Sequence, residues 1–255
     1  MSEAGTVHVH TEKRTTWITL DRPPLNVIDI PMMQSLSKVL YDVTGRSDFI
    51  VFQGAGEKGF CSGVEVRDHV PERVREMLAG FHGIFRQLWR ADCITIASVH
   101  GYCLGGGCEL ASFCDFVISG ESAFFGQPEI RLGCFPPVAM VLYPHLVGPR
   151  AAMHLLLTGR TFSAAEAFQM GLVTRVVADD SVKQEVDCLL TELRSLSPLI
   201  LRRLRRELWR DCGLDFEKLL SEAEEMYLNE VMTTEDAAEG VRAFIEKRAP
   251  VWKGR

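Results

Sequence analysis

Apolar and polar residues alternate through VHVHTEKR and TTWITLDR near the start of the chain, which predicts two strands forming a hairpin at the edge of a sheet, closed by Pro23 and Pro24. Asp29 followed by Pro31 predicts a helix start, because a proline in the first turn forfeits no intrahelical bond. FIVFQGAG (49–56) and ITIASV (94–99) are short apolar runs that read as buried strands. Between them, PERVREMLAGFHGIFRQLWR (71–90) carries helical spacing. After ITIASV come a glycine-rich turn, GYCLGGG, a short apolar helix, CELASF, and a strand, DFVIS. Ser163 and Glu166 form a capping box that opens a helix closed by Gly171, with the strand VTRVV beyond it. From about residue 180 the pattern is only helical. Strands alternating with helices, then a helical last third, give an α/β class. No internal repeat or low-complexity linker divides the chain.

Composition narrows the classes of function. With 255 residues, 47% of them hydrophobic, the chain can bury a core without disulfides or metal. A formal charge of -6 argues against general nucleic-acid or anionic-membrane binding. Arg202, Arg203, Arg205 and Arg206 are expected to be a solvated helix face. The eight cysteines include no C-x-x-C pair, and no histidine near Cys103, Cys108 and Cys114 has zinc-site spacing. Reduced thiols, no metal site and a cytoplasmic location are therefore expected. No apolar run approaches the roughly 18 residues of a membrane span, and the first residues lack a signal peptide's apolar region.

Gly105, Gly106 and Gly107 lie between a predicted strand and a predicted helix, where backbone N–H groups can approach a ligand. No Gly-Lys-Ser/Thr follows, so this is not a phosphate-binding P-loop. A tight packing turn remains an equal reading. Glu109 follows in the first turn of an otherwise apolar helix, and Glu129 sits in FFGQPEIRLG, also among apolar neighbours. Two partly buried carboxylates suit water addition, one deprotonating the water and the other delivering a proton.

GGGCELASFCDFVI, AFFGQPEIRLG and EKGFCSGVEVRD resemble the three signature segments of the crotonase (enoyl-CoA hydratase/isomerase) superfamily in order and separation. LDRPPLNVID, LLLTGRTFSAAEAFQMGLVTRVV and FIEKRAPVWKGR extend the likeness over nearly the whole chain. The resemblance implies a spiral of ββα units over residues 1–190 and a helical trimerisation lobe over 191–255. It also implies an acyl-CoA thioester substrate, no separate cofactor since coenzyme A is part of that substrate, and a homotrimer or hexamer. By the same resemblance, the N–H groups of Val64 and Gly106 form an oxyanion hole, and Glu109 and Glu129 are the catalytic pair. Leu25, Asn26, Val27, Ser62, Gly63 and Gly105 lie along the CoA moiety, with Lys247 and Lys253 within reach of its phosphates. One departure stands out: straight-chain hydratases carry a glycine that offers an N–H to water where this chain has Pro137, which has none. The wording of these segments is most similar to hydratases of cyclohexa-1,5-diene-1-carbonyl-CoA, with Phe135, Pro136, Pro137 and helix 77–89 forming a flat apolar acyl pocket. Isomerisation or decarboxylation on the same oxyanion hole is the alternative chemistry. An RNA-binding homologue is a further alternative, supported only by the RRLRR run.

Overall fold

The computed structural model describes residues 5–255. Thr6–Glu12 (β1) and Thr15–Asp21 (β2) form the expected antiparallel hairpin, with β1 at the edge of a six-stranded sheet. The turn is Lys13-Arg14, at φ 46° and 58°; Pro23 and Pro24 instead follow β2. A two-residue hairpin connection needs left-handed backbone to match the twist of its strands, and proline is locked at negative φ. Ile30–Val43 (α1) starts as predicted, with the Asp29 side chain accepting from Met32 N at 3.0 Å.

Three successive units then repeat one plan. They are Phe49–Gly54 (β3), Gly59–Cys61 (β4) and Val74–Arg90 (α2); Ile94–Val99 (β5), Tyr102–Leu104 (β6) and Gly106–Phe113 (α3); Phe116–Gly120 (β7), Phe124–Gly126 (β8) and Pro137–Leu146 (α4). The first strand of each unit joins the large sheet, in the order β1-β2-β3-β5-β7, and the second joins a smaller sheet, in the order β4-β6-β8. Within the units every strand pairs parallel with the next one over, so the chain advances as a spiral. The segment GYCLGGG is thus a strand before it is a turn, because Tyr102–Leu104 finds ladder partners on both sides that its local pattern does not reveal. Pro149–Thr158 (α5), Thr161–Ser163 (β9) and Ala164–Met170 (α6) follow, and Arg175–Val177 (β10) completes the large sheet beside β7. The capping box of Ser163 and Glu166 is formed.

Helices cover both faces of the large sheet, so β5 is buried at every residue and reads in sequence as an unbroken apolar run rather than an alternation. On one face Phe49, Val51, Ile94, Ile96 and Ile118 pack on Val186, Leu189 and Leu190 of Val182–Arg194 (α7). On the other, Ile50, Phe52, Ala97 and Val99 join the main core with Ile84, Phe85 and Leu88 of α2. Each such large side chain contributes about 1.5–3 kcal/mol by leaving water.

The remaining helices are Pro198–Asp211 (α8), Phe216–Met226 (α9) and Glu235–Ile245 (α10). The basic run on α8 is not simply a solvated face. Arg202 reaches Asp48 at 2.8 Å and Arg205 reaches the largely buried Asp115 at 2.7 Å, which ties α8 to the main body, while Arg206 pairs with the exposed Asp92 and Arg203 stays exposed. Of the eight cysteines six are buried, Cys188 and Cys212 are exposed, and none is in a disulfide. Among the described residues no cluster of three or more His, Cys, Asp or Glu has metal-binding geometry, and no helix is long and apolar enough to cross a membrane. Helix α9 packs against α4 and α2, and α10 packs against the turn Pro128–Leu132, so the C-terminal helices brace the turn that carries Glu129 and the helix that donates to Glu109.

Candidate active site

A cavity of about 430 Å³ opens between the ends of these units. Its floor holds Ser62, Gly63, Val64, Gly105, Gly106, Glu109 and Glu129. Its walls come from α2, from the segment Phe135-Pro136-Pro137, and from the C-terminal Tyr227, Phe244 and Arg248. The fold thus brings both predicted carboxylates and both predicted N–H donors to one space.

The donors face inward for separate reasons. Ile28 donates to Gly63 O at 2.8 Å and accepts from Glu65 N at 2.9 Å, a parallel bridge that turns the N–H of Val64, the residue between, to the opposite side. Gly106 is the first residue of α3, where an N–H has no intrahelical acceptor. The two stretches of backbone lie close together, since a Cβ on Gly63 would be 3.2 Å from Gly106 N, and a Cβ on Gly106 would lie 2.9 Å from Val64 Cγ2 and 2.7 Å from Phe81 Cζ. Gly105 turns the chain at φ 52°, and a Cβ there would lie 2.7 Å from Glu129 Oε1. These glycines therefore make room for backbone and carboxylate to converge, which includes the packing role their sequence left open.

Glu109, 2% exposed, accepts from Ala139 N at 2.8 Å. Burial raises its pKa to about 7, against N–H donation from Ala139 and Val138 that lowers it. Glu129 is pushed well above the carboxylate range by burial and by the neighbouring charge of Glu109. Each carboxylate thus disfavours ionisation of the other, so the pair holds on to a proton more readily than two carboxylates in water would. Pro137 is the first residue of α4, where it suits the helix start and offers no N–H. The next free donors of that helix end are thereby directed at Glu109.

Side chains missed by sequence reasoning complete the site. Gln127 is fully buried; with its amide oxygen accepting from Tyr143 Oη at 2.8 Å, its nitrogen donates to Glu129 Oε2 and Gly105 O, each at 3.2 Å. It holds Glu129 in place, and the only trace in the sequence is a glutamine inside an apolar strand end. The acyl wall has Met77, Leu78, Phe81 and Phe135 as expected, Phe135 packing edge-on against Tyr227 at 5.3 Å. It also carries His69 and His82, so it is not uniformly apolar.

The remaining predicted contacts divide. Ser62 and Gly63 line the cavity, and the Ser62 hydroxyl has no protein partner. Leu25 and Val27 are half-buried beside Ser62, whose N donates to Leu25 O at 2.9 Å, but neither lines the cavity. Asn26 is fully buried and its side-chain amide braces the loop, donating to Ala55 O and Gly59 O at 2.9 Å and accepting from Arg22 N at 3.0 Å, and it does not line the cavity. Lys247 is exposed outside the cavity, and Lys253 pairs with Glu235 at 2.8 Å. Arg248, paired with Glu239 and Glu246, is the basic C-terminal residue that does line the cavity.

The chain is similar to known proteins over nearly its whole length. Residues 10–255 match the family model for enoyl-CoA hydratase/isomerase. A probable enoyl-CoA hydratase of Mycobacterium tuberculosis is 36% identical over 258 residues, covering 98% of each chain. The cyclohexa-1,5-dienecarbonyl-CoA hydratase of Thauera aromatica is 32% identical over 259 residues and the full length of both. A solved carnitinyl-CoA hydratase from Mycobacterium avium superposes with a TM-score of 0.85 at 30% identity, covering 98% of each chain. The α/β spiral is the crotonase fold, and an acyl-CoA substrate fits it. The chain belongs to the enoyl-CoA hydratase/isomerase family.

Proposed function

We propose that the protein hydrates a conjugated acyl-CoA thioester of the cyclic dienoyl type, cyclohexa-1,5-diene-1-carbonyl-CoA being the best candidate, without a separate cofactor. The observation that carries this reading is the pair of glutamates, Glu109 buried and Glu129 half-buried, on one cavity with Val64 and Gly106. The Val64 and Gly106 N–H groups hold the thioester carbonyl oxygen. Glu109 takes a proton from water; the water oxygen bonds to the conjugated carbon, and the displaced π electrons move onto the carbonyl oxygen as an enolate. Two donors there favour the enolate over the ground state, each typically by 10²–10³ in rate. Glu129 then delivers a proton to carbon as the electrons return. Pro137 in place of an N–H donor and the full-length likeness to the Thauera enzyme support the dienoyl substrate.

Trimers, paired into hexamers, are the expected assembly. Leu199, Ile200, Leu204 and Leu208 support it, since they recur along one face of α8 and are each more than half exposed. The expected compartment is the cytoplasm, in keeping with the unpaired cysteines.

The test is a panel of crotonyl-CoA and cyclohexa-1,5-diene-1-carbonyl-CoA, read by mass spectrometry for the gain of one water. Hydration of the cyclic ester, lost in Glu109→Gln and Glu129→Gln, is the expected result. Preference for crotonyl-CoA overturns the dienoyl assignment, and no mass gain on either ester overturns hydration.

A further inference from the structure

His82 stands out on the acyl wall. It is fully buried on α2, it lines the cavity, and its two ring nitrogens differ completely in their surroundings. Nδ1 lies 2.7 Å from Glu224 Oε1 on α9, while Nε2 has no partner in the protein. Arg86 clamps the same carboxylate through two bonds, at 2.8 and 2.7 Å. Against the cost of burial, hydrogen bonds from His82 and Arg86 bring Glu224 down to about 2, so it is a carboxylate at neutral pH and can only accept. The proton of the imidazole must therefore sit on Nδ1, and Nε2 presents a bare lone pair. Burial pushes the imidazole toward its neutral form, against the pull of Glu224. Three groups, Arg86, Glu224 and His82, are thus arranged so that one buried acceptor atom is left without a partner on a residue that lines the cavity together with Met77, Leu78, Phe81, Phe135 and Tyr227. His69, on the same cavity, repeats the tautomer: its Nδ1 lies 3.2 Å from the carbonyl of Glu65, which can only accept.

We infer that His82 Nε2 accepts a hydrogen bond from a hydroxyl group on the acyl part of the CoA ester, so that the enzyme binds an acyl group carrying a hydroxyl at the α2 wall, as a hydrated product can, more tightly than the hydrocarbon acyl group from which it forms. This rests on the acyl-CoA reading above and deepens it by naming the acyl class. A purely hydrocarbon acyl group would leave a desolvated nitrogen unpaired, whereas a hydroxyl satisfies it. That asymmetry makes a polar site discriminate strongly against an analogue lacking the group. His82 acts here as a specificity-determining residue; the bond-making steps stay with the glutamates.

The test compares binding of cyclohexanecarbonyl-CoA with its ortho-, meta- and para-hydroxy derivatives, measured by calorimetry on the intact wild-type protein. None of these saturated esters needs to react, so failure of hydration leaves the measurement intact. At least one hydroxy ester should bind about tenfold or more tighter than the parent, the scale of one buried hydrogen bond. In His82→Phe, which keeps a flat ring and removes the acceptor, that ratio should fall to about one. An NMR shift of the His82 Nε2 resonance on adding the preferred ester to wild type gives a second reading should His82→Phe fail to fold. Equal binding of all four esters by wild type, or a preference that survives in His82→Phe, overturns the proposal; equal binding would mean that Nε2 is served by an enclosed water.

Discussion

Two helix starts face each other across the cavity, and their sequences treat the backbone in opposite ways. At α3 the run Gly105-Gly106-Gly107 removes side chains so that an unpaired N–H lies open to a ligand. At α4 the pair Pro136-Pro137 removes N–H groups, and the donor that remains at Ala139 turns to Glu109. Both starts carry the partial positive charge of a helix N-terminus. One leaves it open toward the cavity, and the other lends it to the carboxylate of Glu109. A helix end is thus a reagent whose target is chosen by which atoms the sequence deletes.

The strongest way to break this arrangement is to neutralise the carboxylates. Glu109→Gln and Glu129→Gln should each lower kcat by about 10²–10⁴ with the fold retained, as stopped assays on the preferred ester would show. In wild type, activity should fall as pH drops through about 7, because the base Glu109 is then protonated. A smaller loss is expected when the α3 start is filled. In Gly106→Ala the new methyl meets Phe81 and Val64, which must shift the N–H from its target; kcat/KM should fall about 10²-fold, with circular dichroism unchanged.

The same buried glutamate should reveal a stability cost. The folded-state pKa of Glu109, about 7, lies above its ordinary 4.5, so the folded chain holds this proton more tightly than the unfolded one. The associated stability is full below pH 4.5 and is lost as pH rises through 7. Glu109→Gln should therefore be more stable than wild type at pH 8, by about 3 kcal/mol, with the gap closing as pH falls below 4.5; denaturant melts at pH 8 and at pH 4 check it. The smallest effect belongs to the α4 start. Pro137→Gly restores an N–H and loosens the first turn, which should cost about 1 kcal/mol in stability and raise crotonyl-CoA turnover relative to the cyclic ester.

Much of the site is legible in the order of residues alone. Glycines before an apolar helix, a glutamate just inside it and a second in a strand-end turn all show in a linear reading, because backbone approach and buried charge restrict which residues are allowed. The hairpin turn is not legible in this way: prolines are conspicuous punctuation, whereas Lys13-Arg14 has no composition that announces positive φ. The arginines of α8 read as solvated because helical spacing cannot show that Asp48 and Asp115 wait beneath them.

The sequence by itself determined the strands of the large sheet with most of the helices between and after them, the residue types at the two helix starts and the identity of the glutamates, since these follow from local periodicity and from which residues tolerate each backbone shape; the short strands of the small sheet do not show in it. Only the tertiary structure decided that Glu109 accepts from Ala139, thirty residues away, that Gln127 grips Glu129, and that His82 keeps one nitrogen free while Glu224 holds the other. Hydrogen bonds and desolvation act through space over a few ångströms, and the spiral brings together atoms whose separation along the chain carries no trace of that distance.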